Sequence, residues 1–355
     1  MSNRYRDSMD RLHFTQEQKQ EMVDRLMEAG PVSSVRRPLR FRRFAAVGAA
    51  AALALSLGVA GATGALGSAG DAFAGLFGGG PAETEIIDQI GYPIGASATS
   101  NGVTITADAI IGDAYSYAVV YSIAREDGQP LAEDLEPLGN GVLPLTFDRA
   151  DTSVGVTGGS SHGSAYFYDA DPSEPSIQYV EKMTSDVPLE PGTATASFRN
   201  LYRMGKDFQD KIPVAEGKWK IRFQFSFPDS SVRLPGGQTF QLNGMEAVLD
   251  GVTISPLSIQ VDYTVKEELV WDNQSQENGR ESEHDREQSY RFFESLPLSL
   301  NMADGSTVDL SSLGGSIDPE TGRTVCRKGG VFEEILDLST VESVTVAGIT
   351  LPVTP

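Results

Sequence analysis

Short alternating strands, dense turn signals and one long uncharged run predict a mainly β protein. The expectation is two exported β-sandwich (Ig-like) domains, preceded by a short cytosolic helix and one transmembrane helix. Apolar and polar residues alternate at Val103–Thr106, Tyr115–Ile123, Trp219–Phe227 and Thr253–Val265, the period of a strand with one buried face. Asp127-Gly128, Gly139-Asn140-Gly141, Pro235-Gly236-Gly237, Asn243-Gly244 and Ala303-Asp304-Gly305 punctuate them. Many short strands between regular turns point to sandwiches. No long helix is expected beyond Ala82, and Phe332–Leu336 reads as one helical turn. The expected division is a tail (1–43), a transmembrane helix (44–70), a linker and first exported segment (71–96), and two β domains (97–230 and 231–355).

The uncharged run is Phe44–Gly70, 27 residues, preceded by Arg36, Arg37, Arg40, Arg42 and Arg43. About 20 apolar residues cross a bilayer core as a helix, so the run is long enough with some tilt. Arginines flank the cytoplasmic side of a span, which places the N-terminus inside and the C-terminus outside. A cleaved signal is the competing reading, on Ala72-Phe73-Ala74 and on Arg42-Arg43-Phe44. Its apolar region is normally about 7–15 residues, and length favours a retained anchor. Ala50, Ala54, Gly58 and Ala62 are spaced to pack a second helix, or equally to face lipid.

Before the arginines, Thr15 and Gln18 form a capping-box pattern, and Met22, Val23, Leu26 and Met27 make one apolar stripe. Met9 and Leu12 begin the same face, and Gly30-Pro31 ends the helix. A lone amphipathic helix of about 15 residues is marginal in water, so it needs a support. A partner groove and the inner leaflet are level as supports.

Charge divides the chain at the same place. Residues 1–43 carry 10 Lys/Arg and 6 Asp/Glu, whereas the whole chain has a net charge of −21. The acidic remainder excludes direct nucleic-acid binding, which needs a basic surface. Cys326 is the only cysteine, so no intrachain disulfide forms.

The catalytic candidates are weak. Gly159-Ser160-Ser161-His162-Gly163 matches the nucleophile-elbow spacing, but that motif needs a strand-to-helix turn, and Ala165–Tyr168 reads as strand. His284, the sole later histidine, lies in a polar insertion, Asp272–Ser289, read as a solvated loop. Asp169, Asp171 and Glu174 offer oxygens to a cation. Glu174 occupies the place where a calcium loop needs glycine, so a solvated acidic loop is favoured. No catalytic residue, metal or cofactor is expected.

An internal echo suggests duplication. Asn101-Gly102-Val103-Thr104-Ile105-Thr106 recurs as Asp250-Gly251-Val252-Thr253-Ile254-Ser255. Each is followed by an isoleucine, Ile110 or Ile259, and a tyrosine-bearing strand.

Three stretches carry a resemblance: Tyr5–Leu12 running into Thr15–Met27, the basic-flanked run, and the β region with Gly102-Val103-Thr104-Ile105 and Gly217-Lys218-Trp219. The chain resembles bacterial single-pass membrane anti-sigma-factor-like proteins with an exported β-rich domain of unknown function. The resemblance implies that the tail binds and inhibits an extracytoplasmic-function sigma factor, through Met9, Leu12, Met22, Val23, Leu26 and Met27. The exported β domains would sense or gate an envelope signal, an envelope ligand or a protease. With no cysteine and only His13 in residues 1–43, the zinc-binding type is not expected. The alternative is an exported envelope-binding or adhesion-type protein with no sigma-factor partner.

Overall fold

The computed structural model describes residues 68–354, apart from 133–134, 139, 156–158, 206–209, 273 and 275–280. They belong to one unit, Ser56–Pro355. The chain is mainly β, with several antiparallel sheets. Helices α1 (Ala69–Phe77) and α2 (Pro81–Ile90) precede β1 (Gly91–Ser100), β2 (Val103–Gly112), β3 (Ser116–Arg125) and β4 (Leu145–Ser153). Then come β5 (Ser161–Tyr168), β6 (Ile177–Ser185), β7 (Gly192–Met204) and β8 (Lys211–Phe225). One sheet has the order β1-β2-β3-β6-β5 and a second the order β4-β7-β8. The two share a core that includes Tyr121, Phe147, Phe198 and Trp219. Trp219 Nε1 donates to Val103 O at 2.8 Å, satisfying a buried polar group between the sheets.

The second half repeats this plan. It holds β9 (Val232–Pro235), β10 (Thr239–Leu242), β11 (Met245–Ile254), β12 (Ser258–Val265) and α3 (Glu283–Ser289). A π-helical turn (Tyr290–Glu294) follows, then β13 (Leu298–Met302), β14 (Thr307–Asp309), β15 (Gly315–Glu320) and β16 (Arg323–Val331). The chain closes with a 3₁₀ turn (Leu338–Thr340), β17 (Val341–Val346) and β18 (Ile349–Pro352). Its sheets run β10-β11-β12-β16-β15, with β9 also on β11, and β14-β13-β17-β18.

The hairpin turns fix the register of the repeat. Asn101-Gly102 and Asn243-Gly244 adopt positive φ at both positions, the pair of angles a two-residue hairpin turn requires. Equivalent residues are therefore 142 apart, the separation of Asp113 and Ser255. This replaces the register of the letter echo, which set Gly102 on Gly251. The bulges confirm it: β2 is irregular between Ala107 and Ala109, and β11 between Leu249 and Gly251. The extra residue is an aspartate in each, Asp108 or Asp250, and it bonds Ser122 or Thr264 across the hairpin. A bulge shifts the side-chain alternation by one. Val103, Ile105 and Ala107 face the core before it and Ile110 after it, as do Met245, Ala247 and Leu249 before it and Val252 after it.

Both faces of the first sheet are covered, since Ala109, Ile111, Ala118 and Val120 form a third cluster with Phe73, Phe77 and Ile87 of the helices. This corrects the sequence reading at 68–96. Ser68, Ala69 and Gly70, expected inside the 44–70 helix, are the N-cap and first two residues of α1, with Ser68 in a reciprocal capping box with Asp71. Residues 71–96, expected as a linker, are mostly α1 and α2. Pro81 opens α2, while Ile87 and Ile90 bury its inner face. Residues 332–336 are not helical; the turn comes later, at Leu338–Thr340. Within the polar insertion, Ser282 caps α3 by accepting from Asp285 N. Among the described residues no helix is long and apolar enough to cross a membrane. The tail and the run through residue 67 lie outside the described residues.

Phe73 is fully buried and ties α1 to the sheet. Phe73→Ala is expected to cost about 3–5 kcal/mol, measured by chemical denaturation. An unchanged midpoint would show that α1 is not part of the cooperative unit.

Candidate functional site

Two places gather buried chemistry: the seam between the halves, and a crevice at the edge of the first. The seam is built from two equivalent turns. After β2, Asp113 N donates to Ser116 O, and after β11, Ser255 N donates to Ser258 O, both at 2.9 Å. The two turns meet. Asp113 Oδ1 accepts from the Tyr115 and Ser116 amides at 2.9 and 2.8 Å. Its Oδ2 accepts from Ser258 Oγ at 2.7 Å and from Ser255 Oγ. Burial nonetheless pushes the Asp113 carboxyl above its ordinary pKa, against all four hydrogen bonds.

A lysine closes the seam further along. Lys182, 4% exposed, reaches Phe332 O at 3.5 Å and the Glu333 carboxylate at 3.3 Å. Its ammonium also lies over the rings of Phe77 and Tyr166, at 5.0 and 5.9 Å from their centroids. His162 Nε2 is 3.1 Å from Gly329 O, and Ser316 Oγ donates to Asp186 Oδ1 at 3.1 Å. This arrangement holds the halves together; its polar groups are consumed by one another.

The crevice lies where the first half's two sheets leave edges side by side, at β4 and β5. Leu143, just before β4, forms an isolated bridge with Phe167 of β5. Beside it is a cavity of about 220 Å³ lined by Leu145, Phe147, Ala150, Ala165, Phe167 and Tyr179 among others. Ala165 is the cross-strand partner of Glu181, and Tyr179 precedes Glu181 by two on the same face. The Glu181 carboxyl, 5% exposed, bonds Thr152 and Tyr179. Burial first, and the nearby Asp151 charge after it, raise its pKa to about 7.

The residues singled out in the sequence fall elsewhere. Met9, Leu12, Met22, Val23, Leu26 and Met27, with Arg36, Arg37, Arg40, Arg42 and Arg43, lie outside the described residues. Ser161 opens a strand, not a strand-to-helix turn, and His284 Nε2 pairs with Val270 O at 2.9 Å. Asp171 accepts from Ser173 N and Oγ, which holds its carboxyl below the ordinary range, and Asp169 accepts from Asp171 N. Among the described residues no group of three or more His, Cys, Asp or Glu side chains is placed to hold a metal. Asp113, Lys182 and Glu181 carried no motif; a charged residue inside an apolar strand was the available signal for the last two.

No family model and no curated protein matches the chain. Among solved structures, the crystal structure of the conserved domain protein from Bacillus anthracis is similar, at 15% identity and a TM-score of 0.44. The match covers 72% of this chain and 76% of that one. At that TM-score the likeness carries no argument about fold or function.

Asp113→Ala leaves two amides and two serine hydroxyls without their acceptor. It is expected to destabilise the protein by about 3 kcal/mol or more, and to open the 226–231 connection to protease. Limited proteolysis with thermal denaturation checks both. A pH profile tests Glu181. Folding raises its pKa from 4.5 to about 7, so the native state holds the proton to higher pH than the unfolded chain. That contribution is complete below about 4.5 and is lost as pH climbs through about 7. The wild type should lose about 2–3 kcal/mol relative to Glu181→Gln between pH 5 and pH 8. Parallel profiles would contradict the burial of this carboxyl.

Proposed function

We propose that the chain is a membrane-anchored regulator of the anti-sigma-factor type, its tail cytosolic and its β domains exported. In this reading Phe44 to about residue 67 spans the bilayer, and the two β domains are Ig-like sandwiches. The tail stripe of Met9, Leu12, Met22, Val23, Leu26 and Met27 binds and inhibits an extracytoplasmic-function sigma factor. The β domains carry no catalysis; they receive an envelope signal, a ligand or a protease.

One observation supports this reading above the others. The last two residues of the uncharged run, Ala69 and Gly70, open α1, which is capped by Ser68 and seated on the first sheet through Phe73 and Phe77. A regulator that reports an outside event needs its sensing body coupled closely to its span. A long flexible tether, which an adhesion module tolerates, would uncouple them.

The test uses the tagged full-length chain, solubilised in detergent, with partners identified by mass spectrometry. A sigma factor is expected with the wild type, and it should be lost on deleting residues 1–35 and in Leu26→Asp. Undiminished recovery in Leu26→Asp would remove the stripe from the interface. Recovery of envelope proteins alone would favour the exported binding protein.

A further inference from the structure

The internal repeat gives the crevice a template. Residues 142 apart are equivalent along β2–β3 and β11–β12, so Val119 corresponds to Val261. Val119 pairs with Glu181 and Val261 with Lys328, which makes Glu181 the counterpart of Lys328. Glu181 pairs with Ala165, and Lys328 with Gly315, so those two are counterparts as well.

In the second half the space above this pair is filled. The π-helical turn Tyr290–Glu294 places the Phe293 ring against Gly315, where an added Cβ would come within 2.8 Å of it. Lys328, 1% exposed, lies with its ammonium 4.5 Å from the ring centroid and donates to Phe293 O at 3.4 Å. The same turn offers Phe292 O to Tyr263 Oη at 2.8 Å. In the first half Tyr121, the counterpart of Tyr263, is already satisfied by Thr152 Oγ1 at 2.7 Å. Among the described residues of the first half none takes the place of that ring, and there the cavity opens beside Ala165 and Tyr179. Behind this wall the buried charge is reversed: Glu181, the cross-strand partner of Ala165, is an acid where the second half has a cation.

We propose that the β4–β5 crevice binds a small organic cation that carries one aromatic ring. The ring takes the place that Phe293 occupies in the second half, between Phe147, Phe167 and Ala165. The ammonium reaches past Ala165 and Tyr179 to Glu181. Aromatic and aliphatic side chains beside a few polar groups are the usual make-up of a small-molecule site, and a cavity of about 220 Å³ limits the guest to roughly one ring and a short side chain. The inference does not depend on the anti-sigma reading, since a signal receptor and an envelope-binding protein would each use such a site.

The probe is 2-phenylethylammonium, titrated calorimetrically into the detergent-solubilised full chain, with 2-phenylethanol as its uncharged counterpart. Saturable binding is expected, at least about tenfold weaker for the alcohol and for Glu181→Gln, the factor that one charge-assisted hydrogen bond supplies. Ala165→Phe, which supplies the missing ring covalently, should abolish it. Glu181→Gln keeps the shape of the side chain, so it reads the charge even where Ala165→Phe fails to fold. No saturable binding at millimolar probe, or equal affinity for amine and alcohol, or undiminished affinity in Glu181→Gln, would each overturn the proposal.

Discussion

The buried carboxylate of Asp113 is the constraint on which the arrangement of the two halves depends. A carboxylate removed from water is costly unless its oxygens are occupied, and here two amides of its own turn and two serines of the other half occupy them. The serines stand in the equivalent turn of the repeat. The duplicated unit therefore meets its own copy turn to turn, and the pairing is self-complementary in backbone but not in side chain. Aspartate on one side and serine on the other make the contact specific for this order of halves. Lys182 adds a second polar tie, and α1 is drawn in because Phe77 lies under the same ammonium.

The halves then diverge in how they fill equivalent space. Each places a tyrosine, Tyr121 or Tyr263, at the centre of its sheet, and each tyrosine hydroxyl finds a hydrogen-bond partner beyond it. The second half supplies that partner, the Phe292 carbonyl, from the π-helical turn, which also delivers Phe292 and Phe293 to the core. Lys328 is thereby buried, and its pKa falls to about 8 through the loss of water. The first half uses Thr152 of β4 instead, keeps Glu181 inside, and retains a cavity. The same framework is closed in one copy and open in the other.

Much of the strand framework was legible in the sequence, because burial on one face writes itself as alternation. Ala215, Trp219, Ile221, Phe223 and Phe225 point inward along β8 at the spacing expected. Asn243-Gly244 marks its hairpin for the same local reason. The helices were missed because α1 borrows its first residues from the uncharged run, and because α2 mixes Glu83, Glu85 and Asp88 with its buried isoleucines. The repeat was found in the wrong register: bulges at Asp108 and Asp250 displace the alternation, so similar letters no longer mark equivalent positions. Neither the seam nor the crevice was legible. Asp113 meets residues 142 and 145 positions away, and the crevice joins edges of strands that never pair along their length.

The Asp113 seam makes the two halves one cooperative body. Native-state hydrogen exchange of the full-length chain tests it, followed at the amides of Ser116 and Ser258, with Val119 and Val261 as markers of each sheet. All four are expected to exchange only through the same global opening, with equal free energies and equal denaturant dependence. Exchange of the Ser258 and Val261 amides through a separate, lower-energy opening, with Val119 still protected, would contradict it.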